Sequence, residues 1–227
     1  MTFPQDNRPK TDGVVALVGN PNTGKSTIFN ALTGLKQHTG NWPGKTVSIA
    51  RGTFRVGAQK YLLVDLPGTY SLRAGSPEEK ITRDFLLSGR PHVTVVVADA
   101  GRLERNLYLV LQVLEITGKV VVCLNMLDDA RRRGICVDVR ALEEELGVPV
   151  VAAAARQGLG LQELKGKIDA LARGEISVCP RRVKYDPDIE EQLAFMSGTR
   201  WLALEALLGQ QKPGEGSWVE RFKYCPV

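Results

Sequence analysis

The sequence contains no CxxC pair and only two histidines, and its four cysteines are scattered at Cys123, Cys136, Cys179 and Cys225. That scarcity leaves no closely spaced zinc ligand set and no disulfide framework, so a reduced, intracellular setting is expected. No stretch approaches the roughly 20 apolar residues that span a bilayer. The polar start Met1-Thr2-Phe3-Pro4-Gln5-Asp6 lacks the apolar core of a signal peptide. Aromatic residues make up 6% of the chain and are not interleaved with its basic runs. An RNA-stacking platform is therefore not expected, and nucleic acid is not an expected partner. The formal charge of +5 is too small to demand a polyanion or a membrane surface.

What is present is a chain of 227 residues, 43% hydrophobic and 24% charged, enough for one large domain with an appendage. Residues 1–12 read as a polar tail. Short apolar runs at Val14–Val18, Val47–Val56, Lys60–Val64, Val93–Ala98, Val120–Leu124 and Pro149–Ala153 alternate with helical patterns. Five-residue apolar runs between longer amphipathic segments predict an α/β fold with a mainly parallel sheet. The polar, Gly/Pro-punctuated stretch from Lys36 to Thr46 is expected to be a loop, and Thr69–Ser76 a second one. Composition shifts after Gly174, so 13–174 is expected to be one domain and 175–227 a small helical domain with a tail. In the latter, Ile189, Leu193 and Met196 are expected on one apolar face, and Trp201, Leu204 and Leu208 on another. Arg131-Arg132-Arg133 reads as a solvated basic face, and Cys123 as core.

The first apolar run leads into Gly19-Asn20-Pro21-Asn22-Thr23-Gly24-Lys25-Ser26, followed by Thr27 and a helix. Strand, glycine-rich turn and helix in that order form a phosphate-binding loop, with backbone N–H groups and a helix N-terminus facing the anion. Lys25 is expected to reach the β- and γ-phosphates, and the Ser26 hydroxyl to hold Mg²⁺. Asp65-Leu66-Pro67-Gly68 ends a later run. There Asp65 can bind Mg²⁺ through water, and the Gly68 N–H can approach the γ-phosphate. Asn125-Met126-Leu127-Asp128 ends another. A carboxylate such as Asp128 accepts both N1–H and N2–H₂ of guanine, a donor pair that adenine does not present. Thr46 lies in the first expected loop, where its hydroxyl can join Mg²⁺ and its N–H the γ-phosphate. Lys25, Thr46 and Gly68 are thus the candidate catalytic residues for cleaving GTP to GDP. Loss of the γ-phosphate would release both loops, as in a nucleotide switch.

The ordered motifs, with Gly40-Asn41-Trp42-Pro43-Gly44-Lys45-Thr46 and Asp65-Leu66-Pro67-Gly68-Thr69-Tyr70-Ser71-Leu72, resemble the cytosolic G domain of the bacterial ferrous-iron transport protein B family. The resemblance covers about 13–172 and continues more loosely through Tyr185-Asp186-Pro187 and Arg200-Trp201-Leu202-Ala203. It implies a P-loop, Ras-like G domain followed by a small helical domain. It also implies a GTPase switch on the cytoplasmic face of the inner membrane, regulating Fe²⁺ passage through a downstream polytopic membrane domain. A homo-oligomer and a small cytosolic iron-transport partner are further implied partners. Asn22, with the backbone carbonyls of Gly40 and Trp42, falls where potassium-using members bind K⁺ beside the phosphates. Thr69 stands where many Ras-like enzymes carry a water-positioning glutamine, so slow intrinsic hydrolysis is expected. The base loop Ala153-Ala154-Ala155-Arg156 places Ala154 at the position of a usual serine. The Ala155 N–H can still meet guanine O6, but the missing hydroxyl predicts looser binding and fast GDP release. A ribosome-associated switch and a nucleotide-sensing module with negligible turnover remain the alternatives.

Overall fold

The computed structural model describes residues 11–34, 37–41, 48–73, 75–196 and 199–209. Its elements begin with β1 (Gly13–Gly19), α1 (Lys25–Thr33), β2 (Gln37–Asn41), β3 (Ser48–Val56), β4 (Gln59–Asp65) and α2 (Pro77–Ser88). They continue through β5 (Val93–Asp99), α3 (Leu103–Ile116), β6 (Val120–Asn125), α4 (Leu127–Arg132), α5 (Val139–Leu146) and β7 (Val150–Ala152). The remaining helices are α6 (Leu161–Ala172), α7 (Pro187–Phe195) and α8 (Arg200–Gly209).

The strands form one sheet in the order β2-β3-β4-β1-β5-β6-β7. Four neighbouring pairs are parallel, β4–β1, β1–β5, β5–β6 and β6–β7, while β2–β3 and β3–β4 are antiparallel. Helical crossovers explain the parallel pairs, and the short turn between Val56 and Gln59 explains the β3–β4 hairpin. Parallel strands are covered on both faces, which is why β5 and β6 read as unbroken apolar runs and are buried almost throughout. Val15, Leu17, Ile28, Phe29, Leu63, Val95, Val121, Leu164 and Ile168 belong to one buried cluster between sheet and helices. Each such fully buried aliphatic side chain contributes roughly 1.5–3 kcal/mol. Cys123 is in the same cluster, as expected, and its burial pushes the thiol up to about 12.

Three departures from the sequence reading have physical causes. Gln37–Asn41, expected as loop, forms β2, paired antiparallel with β3 through Gly40 opposite Ile49. It is an edge strand built on backbone pairing, so it carries no alternation of apolar residues to betray it. Leu127–Arg132 forms the short helix α4, which the sequence reading did not separate from the basic run. The helix stripe of the second unit also ends earlier: Met196 lies beyond α7 and is exposed, while Ile189 and Leu193 pack inward.

The chain divides into two compact units, Met1–Val183 and Lys184–Val227. The division falls later than the composition shift at Gly174, because 175–183 packs on the first unit. Val178 lies against its core, Cys179 N–H donates to Gly147 O at 3.1 Å, and Arg181 N–H to Leu146 O at 2.9 Å. Gly147 makes that approach possible, since a Cβ there would sit 1.9 Å from Cys179 O. Within the second unit, α7 and α8 bury Leu193, Ala203 and Leu204. Arg200 pairs with Glu190 and holds that carboxyl below its ordinary value. Among the described residues no helix is long and apolar enough to cross a membrane.

Candidate functional site

β1 delivers the phosphate loop to the carboxyl edge of the sheet, and α1 starts at Lys25 directly behind it. Gly24, the residue before the helix, has φ 82 and supplies no side-chain cap, so the first N–H groups of α1 are left for an anion. A side chain at Gly24 is also blocked by space, since a Cβ would stand 2.4 Å from Asn125 Nδ2. Asn22 takes φ 66, a left-handed conformation that asparagine tolerates better than most residues, and its side chain is exposed. Thr23 is buried and ties the loop to itself, its hydroxyl donating to Asn20 O at 2.9 Å. The buried Asn20 amide has no hydrogen-bond partner among the described residues.

β4 lies parallel to β1 with Asp65 opposite Leu17, which brings the DxxG motif beside the phosphate loop. The chain then passes over that loop. Leu66 N–H donates to Leu17 O at 3.0 Å and Thr69 N–H to Gly19 O at 3.2 Å. A Cβ on Gly68 would lie 3.3 Å from the Pro21 Cα, so Gly68 can approach where a side chain would crowd. Lys25 Nζ forms an ion pair with Asp65 Oδ1. Burial raises the Asp65 carboxyl above its ordinary value, while Lys25 opposes that rise. Ser26, in the first turn of α1, is exposed. Its hydroxyl and the Asp65 carboxylate are hard oxygen donors of the kind Mg²⁺ takes, so the residues present fit that ion. Thr46 and Trp42, expected at Mg²⁺ and K⁺, lie outside the described residues, and Gly40 sits in β2.

β6 ends in Asn125, whose buried amide works in two directions. Nδ2 donates to Thr23 O at 2.9 Å, and Oδ1 accepts the Ala155 N–H at 3.1 Å. One side chain thus fixes the phosphate loop to the base loop. Met126 adopts φ 61 and starts α4, placing Asp128 in its first turn. A cavity of about 250 Å³ is lined by Gly24, Thr27, Asn125, Met126, Asp128, Ala155 and Arg156, all expected at a nucleotide. Asp129, Arg132 and Arg133 line it too. From sequence the two arginines are expected on a solvated face. Asp129 pairs with both, which offsets one of their two positive charges.

The base loop is held without the serine hydroxyl. Ala154 N–H donates to Leu159 O at 3.2 Å, Leu159 N–H returns to Ala154 O at 3.3 Å, and Gln157 N–H donates to Ala154 O at 2.9 Å. Gln157 Nε2 also donates to Asp128 Oδ2 at 3.1 Å, a contact not expected from the motifs. Gln157 lies just past the base-loop motif and 29 positions from Asp128, so nothing local marks the pair. Thr69, by contrast, behaves as its length suggests. Its hydroxyl donates to Ser71 O at 2.7 Å and so serves its own segment rather than a water. Among the described residues no group of three or more His, Cys, Asp or Glu could hold a metal ion, and no transition-metal centre is assembled there.

Comparison with known proteins is consistent with this geometry. A family profile described as Ferrous iron transport protein B matches residues 13–168. The Fe(2+) transporter FeoB of Salmonella choleraesuis is 40% identical over 209 residues, covering 86% of this chain and 27% of the transporter. The chain therefore spans about a quarter of the length of that curated relative. The cytosolic domain of the T. maritima FeoB iron transporter in a GDP form superposes with a TM-score of 0.81 at 38% identity, covering 87% of this chain and 82% of that one. The same domain in a GMPPNP form gives 0.80 at 36% identity, covering 95% and 88%.

Proposed function

This chain belongs to the ferrous iron transport protein B family, and from that premise we propose that it binds GTP and GDP and hydrolyses GTP. The observation that carries this reading is Asn125, which draws the phosphate loop and the base loop around one cavity that Asp128 also lines. The T. maritima relatives in GDP and GMPPNP forms support it. Hydrolysis joins a water oxygen to the γ-phosphorus and breaks the bond to the β–γ bridging oxygen. GDP leaves with that electron pair, and the water's protons end on phosphate and solvent.

In this proposal Lys25 neutralises charge growing between the β- and γ-phosphates, and the Gly68 N–H meets the γ-phosphate. Asp128 selects guanine by accepting its N1–H and N2–H₂, while the Ala155 N–H faces O6. Ser26, Thr46 and, through water, Asp65 would hold Mg²⁺, which supplies charge neutralisation on the phosphates. Asn22 with the Gly40 and Trp42 carbonyls would hold K⁺ as further compensation. The activity serves Fe²⁺ passage through a membrane part outside this chain, on its cytoplasmic side, with the helical unit passing on nucleotide state. Iron is then cargo elsewhere and not a cofactor of this domain.

Single-turnover GTP hydrolysis in K⁺, with Na⁺ as ionic control, tests the enzyme reading. We expect slow turnover that K⁺ accelerates. GTP bound yet uncleaved in both salts would leave a nucleotide-sensing module instead.

A further inference from the structure

The segment that follows Gly68 is gripped by a helix to which no motif points. Leu72 is fully buried, and its N–H donates to Gln112 Oε1 at 2.7 Å. The Ser71 hydroxyl lies 3.4 Å from the same oxygen. Gln112 is only 3% exposed and sits on α3 beside the buried Leu109 and Val113. A buried amide among aliphatic neighbours is costly unless it is paired, and this one is paired with loop backbone. Arg105, two helical turns earlier and so on the same face of α3, holds its guanidinium 4.2 Å from the centroid of the Tyr70 ring. α3 therefore holds 70–72 by two independent contacts.

Those contacts matter because Thr69 offers no side chain to an attacking water, its hydroxyl being used by Ser71 O. Placement of the γ-phosphate and water then falls to backbone groups at Gly68 and Thr69. That stretch is fixed at one end by Thr69 N–H on Gly19 O and at the other by Leu72 N–H on Gln112. The geometry points to Gln112 as a positioning residue for GTP hydrolysis, setting the backbone of 68–72 through the Leu72 N–H, with Arg105 reinforcing it over Tyr70. This role rests on the GTPase reading proposed above. An effect on turnover rather than on nucleotide affinity is its signature, because Gln112 is absent from the residues lining the base cavity.

The test uses the full 227-residue chain. Gln112→Leu removes the acceptor at similar volume, and Gln112→Glu keeps an oxygen for the Leu72 N–H. We expect Gln112→Leu to slow single-turnover hydrolysis about tenfold, with GTP affinity held within about twofold, since a misplaced backbone costs rate before binding. Gln112→Glu should recover the rate to within about threefold of wild type, as restoration of one hydrogen bond predicts. Exchange of the Leu72 amide should quicken in the leucine variant alone. Arg105→Ala, at an exposed site that leaves the core intact, should slow hydrolysis about twofold.

A wild-type rate in Gln112→Leu with a faster-exchanging Leu72 amide would overturn the role, as would a loss that Gln112→Glu does not recover. If the leucine variant does not fold, an unchanged rate in Arg105→Ala overturns it. A wild-type chain that binds GTP without cleaving it would overturn the GTPase reading itself, and this role with it.

Discussion

The phosphate end and the base end of the candidate site are built on different physics. At the base end the loops are held mainly by hydrogen bonds from uncharged donors: Asn125 bridges two loops, Ala154 and Leu159 exchange backbone hydrogen bonds, and the Gln157 amide donates to Asp128. At the phosphate end the main contact is the Lys25–Asp65 ion pair, beside the exposed side chains of Ser26 and Asn22. Shape matching selects a base because a wrong base leaves buried groups unpaired. Charge suits a phosphate, which in the proposed reaction must arrive, be cleaved and leave. The two ends meet at Thr23, whose hydroxyl closes the phosphate loop and whose carbonyl accepts Asn125.

This contrast can be broken from either side, and the effects should differ in size. Lys25→Ala removes the only side-chain cation the phosphate motif contributes. Titration with a fluorescent GDP should show affinity weakened roughly 100-fold, the scale of a lost hydrogen bond to a charged group. Unchanged binding would mean that the cavity serves another ligand. Asn125→Ala deletes both bridges at once and leaves the Ala155 N–H without its acceptor. The same titration should show about 30-fold weaker GDP binding, in line with two buried hydrogen bonds lost. A loss confined to stability, with affinity intact, would show that Asn125 serves the fold alone. The smallest effect is expected for Ala154→Ser. The missing hydroxyl suggested a loose base loop, yet backbone bonds to Leu159 and Gln157 already hold it. Stopped-flow GDP release should therefore slow only about threefold, the worth of one added hydrogen bond. No slowing at all would show that the backbone bridge suffices.

Much of this site was legible in the sequence because each motif sits where a strand ends. Gly19, Asp65 and Asn125 close β1, β4 and β6, and apolar runs bounded by such residues are visible without coordinates. The misses share another origin. β2 has backbone partners but no apolar alternation, so its strand character depends on β3 lying alongside. Arg132 and Arg133 looked like surface charge, since only the fold of α4 brings them to the cavity. Gln112 could have been noticed as a polar residue on the apolar stripe of α3, although the pattern does not name its partner. In the second unit Trp201 and Leu204 are buried as expected, whereas Met196 is not, because the helix stops at Phe195.

By itself, then, the sequence determined the strand–loop–helix cradle, the α/β architecture and the motif order that points to guanine. These depend on local backbone preference and on the short repeat of apolar residues. Only the tertiary structure decided that Asn125 reaches Thr23 across 102 positions, that Gln112 holds Leu72 across 40, and that the first unit extends to Val183. Such contacts join side chains whose own neighbours in sequence carry no trace of them. They exist because packing the sheet brings distant strand ends and one helix face together, where each buried polar group must find a partner.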